Sequence, residues 1–193
     1  MNTPLQASIR AILEHPTEFA WTVQGFGFMR CYLTPDKRWR LNVWDSELAT
    51  NASLIHDHPW NFTGYIIAGA LYNFRYTENE AEGDWYTWGL LLPGIGGGLT
   101  SAPQGVKALW QGKREEWLPG DVYTQKHREI HHTEFGDGTV TLNDRIRPHG
   151  GKDIARIFWP AGEQWQDAMP RDATAVEVLR TTAKALATIG DMT

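Results

Sequence analysis

Short segments in which apolar and polar residues alternate, or in which apolar residues run together, recur through most of this chain. Alternation puts successive side chains on opposite faces of an extended backbone, so it predicts β-strands rather than helices. Clusters of glycine and proline separate the segments and predict turns. The predicted strands cover residues 19–23, 26–33, 39–44, 54–60, 63–76, 85–92, 106–110, 115–118, 131–135, 139–146 and 154–159. Many short strands with tight turns predict an all-β protein built as an antiparallel jelly-roll barrel, which closes most of its sheet edges.

Two segments with a helical period flank the predicted strands. Residues 3–14 combine a capping threonine, a proline at the first helical position and apolar residues on one face. Residues 174–189 begin with a capping box formed by Thr174 and Glu177 and end before Gly190. The apolar stripe of this second helix consists of Val176, Leu179, Ala183, Leu186 and Ala187. The stripe predicts a packing surface, either on the barrel or on a second copy of the chain in a homodimer.

Composition and charge narrow the classes of function. The net charge of −5 and the absence of a basic run argue against a nucleic-acid partner. No apolar stretch reaches the roughly eighteen residues of a membrane span and no signal-like N-terminus is present, which predicts a cytoplasmic protein outside the membrane. The single cysteine, Cys31, excludes an internal disulfide and a zinc site built from several cysteines. Without linkers or repeats, we expect one domain over residues 1–193, with its barrel at about 19–160.

The segment at residues 54–60, Leu-Ile-His-Asp-His-Pro-Trp, carries the first candidate chemistry. Its apolar start and its proline predict a strand, on which residues two positions apart point to the same face. His56 and His58 are therefore expected to project into one space. Neutral histidine is the commonest protein ligand of metal ions, so the pair is half of a candidate metal site. The alternative is a pair of histidines on a solvated strand face.

A second motif follows about seventy residues later. Residues 118–121, Leu-Pro-Gly-Asp, predict a turn, and a short apolar segment then leads to His131, ten positions after Asp121. A His-x-His strand, a Pro-Gly-Asp turn and a third histidine in this order resemble the two motifs of the cupin family of barrels. The resemblance implies a cupin-type jelly roll in which His56, His58 and His131 bind one divalent metal ion in the barrel mouth.

The first motif departs from the family at the fourth metal ligand. Most cupins have a glutamate four or five residues after the second histidine, whereas this chain has Phe62 and Thr63 there. Three histidines with open coordination positions are typical of catalytic metal sites. Residues 41–71 and 130–142 resemble the cysteine dioxygenases and related thiol dioxygenases, which are three-histidine cupins that use Fe(II). The ligand types themselves also fit Zn, Ni, Mn or Cu.

Three arginines are considered for binding a small-molecule substrate: Arg30, its rival Arg40, and Arg145. In the thiol dioxygenases an arginine on an early strand holds the substrate carboxylate, and Arg30 lies near that position, with Arg40 as its rival. Arg145 stands where those enzymes have a tyrosine, and Asn143 where they have a histidine. Arg145 puts a fixed positive charge where the family has a phenol, so this departure predicts a substrate with a carboxylate or other anion, and weak or no turnover of free cysteine. The alternatives are a solvent-facing Arg30 and an Arg145 paired with a nearby carboxylate.

The remaining histidines leave several functions open. His127 lies in a predicted turn behind the metal ligands, His132 is expected to point away from His131, and His149 follows the barrel strands. One candidate function is a mononuclear Fe(II) dioxygenase that acts on a small anionic substrate, with thiols among the candidates. A second is an isomerase or epimerase in which the metal is a Lewis acid and His127 or His149 is the general base. A third is a non-catalytic domain that binds a metal or a ligand.

Overall fold

The computed structural model describes residues 4–49, 55–90, 92–93, 99–100, 102–146, 154–164 and 170–190, and of 92–93 and 99–100 it describes the backbone alone. Most of this part of the chain is β-strand, with an α-helix near each end. The elements are α1 Pro4–Glu14, a 3₁₀ turn Pro16–Glu18, β1 Trp21–Gln24, β2 Phe26–Tyr32, β3 Trp39–Ala49, β4 Ile55–His56, β5 Asn61–Ala68, β6 Leu71–Glu78, β7 Asp84–Leu90, β8 Leu92–Pro93, β9 Leu99–Thr100, β10 Pro103–Trp117, β11 Val122–Gln125, β12 Ile130–Phe135, β13 Val140–Ile146, β14 Arg156–Pro160, β15 Arg171–Asp172 and α2 Ala175–Gly190. Neither helix within these ranges is long and apolar enough to cross a membrane.

The strands form two main antiparallel sheets. Seven strands make a sheet in the order β11-β5-β13-β3-β2-β1-β15, six close into a barrel in the order β10-β6-β12-β4-β14-β7, and β8 pairs with β9. The consecutive strands β5 and β6 belong to different sheets. Gly69 lies between them with a φ of +76°, a left-handed conformation that lets the chain cross from the sheet to the barrel. A side chain at this position would collide with Thr139, so the corner favours glycine for two reasons.

Both faces of the seven-stranded sheet are covered. One face packs against α1 and α2 through a buried cluster that includes Ile9, Leu13, Met29, Leu41 and Val178. The other face packs against the outside of the barrel, with Trp44, Ile66 and Leu71 buried between them. The barrel has its own interior, formed by Ile55, Tyr76, Leu109, Ile130 and Phe158. The molecule is therefore layered as helices, sheet and barrel.

The candidate metal ligands lie on the outer wall of the barrel. Neighbouring residues of a strand point to opposite faces, and Ile55 and Ile130 point into the barrel. His56 and His131, one residue later on β4 and β12, therefore face the seven-stranded sheet. These side chains face the space between the closed barrel and the seven-stranded sheet, both of which, apart from β15, lie within the predicted barrel of residues 19–160.

The predicted β-rich fold with a barrel and a short helix at each end is confirmed at this level. Two predicted strands, residues 106–110 and 115–118, are wrong as separate strands, because the first and residues 115–117 of the second belong to the single long strand β10. This strand pairs with β7 along its first half and with β6 along its second half, with an irregularity between Gln111 and Arg114. The shared strand is what closes the barrel.

The prediction that the apolar stripe of α2 packs on the barrel is also wrong. The helix packs on the seven-stranded sheet and buries Val178, Thr181, Thr182, Ala185 and Ile189. Val176 and Leu179 are 73% and 54% exposed. The Thr181 hydroxyl and the Lys184 ammonium donate hydrogen bonds of 2.8 and 2.7 Å to the buried carboxylate of Asp45 on β3, and these contacts set the rotation of the helix. A homodimer through the exposed stripe stays a prediction.

Candidate metal centre

Three histidines meet on the outer wall of the barrel. His56 ends β4, and His131 lies directly opposite it on β12 in the antiparallel register. One ring nitrogen from each of His56, His58 and His131 lies within 4.8 Å of the others, and the Nε2 atoms of His58 and His131 are 3.1 Å apart. The structure thus brings together the three residues that the motifs predicted as metal ligands. The predicted strand over residues 54–60 is wrong at its end, because β4 already ends at His56 and His58 lies beyond it.

The spacing of two of these nitrogens fits one bound metal ion. Two nitrogens that bind the same ion at about 2.1 Å, with an angle of roughly 90–110° between the bonds, lie roughly 3.0–3.4 Å apart. The separation between the Nε2 atoms of His58 and His131 falls in that range. Within the described part of the chain, the three histidines form this group without a carboxylate or thiol. Three neutral imidazoles would leave the positive charge of the ion uncancelled.

The surroundings keep two of the imidazoles neutral. Burial holds the pKa of His58 well below its ordinary value, and the neighbouring His56 and His131 lower it further. The pKa of His131 is lowered in the same way, first by burial and then by His56 and Arg75. A neutral imidazole offers a lone pair to a metal ion. Both rings are therefore in the form that binds metal at neutral pH.

Asn73 determines which nitrogen of His131 faces the centre. The Nδ1 atom of His131 lies 2.8 Å from Oδ1 of the buried Asn73, an oxygen that can only accept, so Nδ1 carries the proton and Nε2 the lone pair. Asn73 Nδ2 donates to Glu115 Oε2 at 3.2 Å, which fixes the orientation of the amide. Arg75 Nε donates to the same carboxylate oxygen at 2.9 Å. Asn73 is therefore a positioning residue for His131.

Replacing Asn73 with leucine keeps the size of the side chain but removes the acceptor. We expect Asn73→Leu to weaken metal binding by about 10–100-fold, the usual effect of losing such an outer partner. Titration of the metal-free protein with Zn²⁺ against a competing chelator measures the change. Glu115→Gln is the matched control, because its amide oxygen can still accept from Asn73 and the affinity should fall less. Equal affinities of Asn73→Leu and the unmodified protein would contradict the orienting role.

The residue between the two histidines anchors the segment that carries His58. Asp57 is fully buried, and its carboxylate accepts two hydrogen bonds of 2.6 Å from Arg156, one from the backbone N–H and one from Nε. Arg128 donates to the same carboxylate at 3.4 Å and to the carbonyl of Ile154 at 2.7 Å. The backbone N–H of Arg128 also donates to the carbonyl of His58 at 3.1 Å. With Asp57 held on one side of the chain, the histidines on either side of it face the cavity.

Sequence analysis missed the residues that support the ligands. One feature of the sequence could have indicated the role of Asp57. Alternation along the strand places Asp57 on the face opposite to both histidines, and a carboxylate that is buried there needs a cationic partner. Its partners Arg128 and Arg156 are 71 and 99 positions away in the sequence. Asn73 lies 58 positions from His131. No local pattern points to contacts over such separations.

The three histidines line a cavity of about 380 Å³ between the sheet and the barrel. This volume lies in the usual range of small-molecule sites. Six of the lining side chains are aromatic: Phe26, Phe28, Trp44, Trp60, Phe62 and Tyr123. Phe26 stacks against the ring of His56 at 5.0 Å, and Trp60 against that of His58 at 5.8 Å. The candidate metal centre therefore lies in a largely apolar space, where electrostatic contacts are stronger than in water.

Arg30 and Arg40 line this cavity from neighbouring strands of the sheet. Burial lowers the pKa of Arg40 to about 10, and the charge of Arg30 contributes to the shift. Burial also lowers the pKa of Arg30. Neither guanidinium pairs with a carboxylate of the described residues, and the Nε atom of each is buried without a hydrogen-bond partner among them. Two such cations in one cavity supply positive charge and hydrogen-bond donors of the kind that suit an anion.

Arg145 is placed differently from the other two candidates. It is buried on β13, and its guanidinium carbon lies 4.9 Å from the centre of the Trp60 ring. Arg145 lines a separate depression together with Arg38, and it is not among the described residues that line the cavity. The neighbouring Asp144 accepts two hydrogen bonds from Arg38, at 2.5 and 2.7 Å. Arg145 therefore borders the cavity through Trp60 rather than through its own side chain.

The other histidines of the described ranges lie outside the metal group. The predicted direction of His132, away from His131, is confirmed: its ring stacks on Phe74 at 4.5 Å, and its Nδ1 lies 2.8 Å from the hydroxyl of Tyr76. His127 donates its backbone N–H to Asn61 Oδ1 at 2.6 Å. His149 lies outside the described residues.

A comparison of the chain with models of known protein families finds no match, and neither does a search among curated proteins. The function is therefore inferred from the site itself.

Proposed function

We propose that this chain is a cupin-type metalloenzyme, a mononuclear Fe(II) dioxygenase that acts on a small substrate with an anionic group. The observation that carries the proposal is the convergence of His56, His58 and His131 on a cavity that also contains Arg30 and Arg40. In this proposal the histidines bind the ion and the arginines bind the anion. Both lie within one buried space, as a reaction between a substrate and a metal centre requires.

The arrangement of the two sequence motifs supports a cupin-type site. His56 from the first motif and His131 from the second pair across adjacent antiparallel strands. Residues 118–121 form a turn in which the Leu118 N–H donates to the Asp121 carboxylate at 2.8 Å, and Gly120 has a φ of +96°. The turn leads into β11, which contributes Tyr123 to the cavity. The Pro-Gly-Asp motif therefore forms the turn that positions β11, one of the strands that line the cavity.

In such a reaction the residues of the cavity would have different roles. When bound, Fe(II) supplies Lewis acidity and the electrons that activate dioxygen. Arg30 and Arg40 bind the anionic group through charge-assisted hydrogen bonds and so orient the reacting group of the substrate toward the histidines. Phe62, where most cupins have a carboxylate ligand, lines the cavity with an apolar ring. The aromatic walls exclude water from the reacting groups.

The distribution of acids and bases favours oxidation over isomerisation. An isomerase needs a general base within reach of its substrate. Apart from the three histidines, the candidate base among the described residues that line the cavity is the carboxylate of Asp57. This carboxylate accepts a hydrogen bond from Arg156. Burial raises the pKa of Tyr123, which keeps its hydroxyl protonated. His127, one base considered from the sequence, does not line the cavity, and His149 lies outside the described residues.

Oxygen uptake by the Fe(II)-loaded protein tests this proposal. The panel combines aliphatic thiol acids and aromatic hydroxy acids with neutral analogues that lack the carboxylate. We expect uptake with at least one carboxylate and with no neutral analogue, and weak turnover of free cysteine. Arg40→Met should raise the KM for the active substrate by about 10–100-fold, the worth of a hydrogen bond to a charged group.

Arg38→Met is the control, because Arg38 pairs with Asp144 and does not line the cavity. Its KM should match that of the unmodified protein. No uptake with any member of the panel, or equal uptake with the neutral analogues, would reject the proposal.

A further inference from the structure

Flat ring faces form the apolar part of the cavity wall. Phe28 and Trp44, from neighbouring strands, have ring centres 4.6 Å apart. Phe62 and Tyr123 meet edge to face at 5.9 Å, and Tyr123 stacks on Trp117 at 4.0 Å. Because each ring packs against another ring, this wall is held in place before a ligand arrives. It therefore suits a flat, rigid group better than a flexible aliphatic chain.

Arginine and asparagine side chains form the polar part of the wall as two cross-strand pairs. In the antiparallel register, Arg30 on β2 pairs with Asn42 on β3, and Arg40 on β3 pairs with Asn143 on β13. Directly paired residues on antiparallel strands point to the same face, with Cβ atoms about 5 Å apart. Each arginine, which only donates hydrogen bonds, therefore lies beside an asparagine oxygen, which only accepts them.

The two asparagine oxygens have no donor within the described part of the chain. Asn42 and Asn143 are 1% and 3% exposed, and the Oδ1 atom of each is buried without a hydrogen-bond partner there. Asn42 Nδ2 donates to Thr141 Oγ1 at 3.2 Å, which fixes the orientation of its amide. A buried acceptor is stable only when a donor reaches it. A ligand that donates a hydrogen bond to one of these oxygens therefore carries an O–H or N–H group near its anionic group.

The size of the cavity points the same way. Its 380 Å³ corresponds to about a dozen water-sized volumes of roughly 30 Å³ each. A benzene ring with a carboxylate and a hydroxyl has roughly ten non-hydrogen atoms, whereas a three-carbon thiol acid has roughly six, so the ring compound fills this space far better. The aromatic acid also uses the ring faces, which a thiol acid leaves without a partner.

We infer that the cavity binds an aromatic carboxylate bearing a hydroxyl or amino group, rather than a short aliphatic thiol acid. The carboxylate lies against Arg30 and Arg40, the donor meets the oxygen of Asn42 or Asn143, and the ring packs on the aromatic wall. The inference rests on the proposed function for the reaction that follows binding. The binding itself depends on the cavity wall and needs no metal.

Calorimetric titration of the metal-free chain tests the inference. Because no metal is present, a thiol probe cannot gain affinity by binding to a metal ion. The probes are the three hydroxybenzoate isomers, benzoate, hydroxybenzyl alcohol and 3-mercaptopropionate. We expect one hydroxybenzoate to bind most tightly. Benzoate, which lacks the donor, and 3-mercaptopropionate, which lacks the ring, should each bind about tenfold more weakly, and the uncharged alcohol about 100-fold more weakly.

Asn143→Leu removes one asparagine oxygen at nearly constant volume. Either this variant or Asn42→Leu, whichever removes the oxygen that the donor meets, should bind the preferred hydroxybenzoate about tenfold more weakly and benzoate as before, so that benzoate binding also reports an intact cavity. Binding of 3-mercaptopropionate as tight as that of every hydroxybenzoate, or no hydroxybenzoate binding, would overturn the inference even if thiol acids drive oxygen uptake. Tight hydroxybenzoate binding without oxygen uptake by the iron-loaded protein would instead uphold the ligand class and reject the proposed function.

Discussion

The His131→Ala variant is expected to purify with less than about a tenth of the metal carried by the unmodified protein, because it loses one of three ligands and the Asn73 contact that orients it. His131 is the most buried of the three histidines, with 4% exposure, and its Nε2 atom lies 3.1 Å from that of His58. Two histidines that remain on an apolar wall cannot replace this donor. Elemental analysis of protein prepared without a metal-affinity tag measures the difference.

His132→Gln provides the matched control for this experiment. The residue lies next to His131 on the same strand, but its ring points into the barrel against Phe74. Metal content should stay normal in this control and should fall in the double variant His56→Ala/His58→Ala. Circular dichroism of each variant checks that the fold is retained. Equal metal content in His131→Ala, the double variant and the unmodified protein would mean that the three histidines are not a metal site.

The Asp57→Ala variant is expected to lose about 3 kcal/mol of the free energy of unfolding and to bind metal more than about tenfold more weakly. The buried carboxylate neutralises Arg156 and Arg128, so removing it leaves two cations without their shared partner. The chain segment between His56 and His58 would also lose its anchor. Urea unfolding of the metal-free protein measures the first effect, and Zn²⁺ titration against a chelator measures the second.

Two further variants separate stability from positioning. Asp57→Asn keeps an oxygen that can accept from Arg156, so both losses should be smaller than those of Asp57→Ala. Asp144→Ala removes another buried carboxylate with an arginine partner, Arg38, away from the cavity lining. It should lower stability without changing metal affinity. A loss of metal affinity in Asp144→Ala as large as that in Asp57→Ala would show that the effect is general destabilisation.

The ligand residues themselves could be read from the sequence. The His-x-His spacing is a local pattern that selected His56 and His58, and the resemblance to the second cupin motif added His131; the structure brings the three together. The direction of His132 also followed from alternation along one strand. Choosing among the arginines was not possible in this way. Arg30, Arg40 and Arg145 all lie on predicted strands, and only the packing of sheet on barrel brings the first two to the cavity.

The second helix shows how a local pattern can mislead. Its apolar residues predicted one buried face, yet Val176 and Leu179 are exposed while Thr181 and Thr182 are buried. Thr181 is buried because it donates to Asp45, which lies 136 positions earlier in the chain. A hydrogen bond of this kind lets a polar side chain be buried between the helix and the sheet. The hydrophobic periodicity of the helix cannot predict such a contact.

The sequence by itself determined most of the strand segments and the residues that start the last helix, because strand alternation and capping boxes act between residues close in the chain. The order of two motifs, through its resemblance to the cupins, selected the three histidines. Only the tertiary structure decided that β10 closes a six-stranded barrel, that the histidines lie on its outer wall and that Arg156 and Arg128 neutralise Asp57. Strand pairing and the neutralisation of a buried charge join residues tens of positions apart. Their free energies depend on which surfaces meet in the folded chain, and no local pattern contains that information.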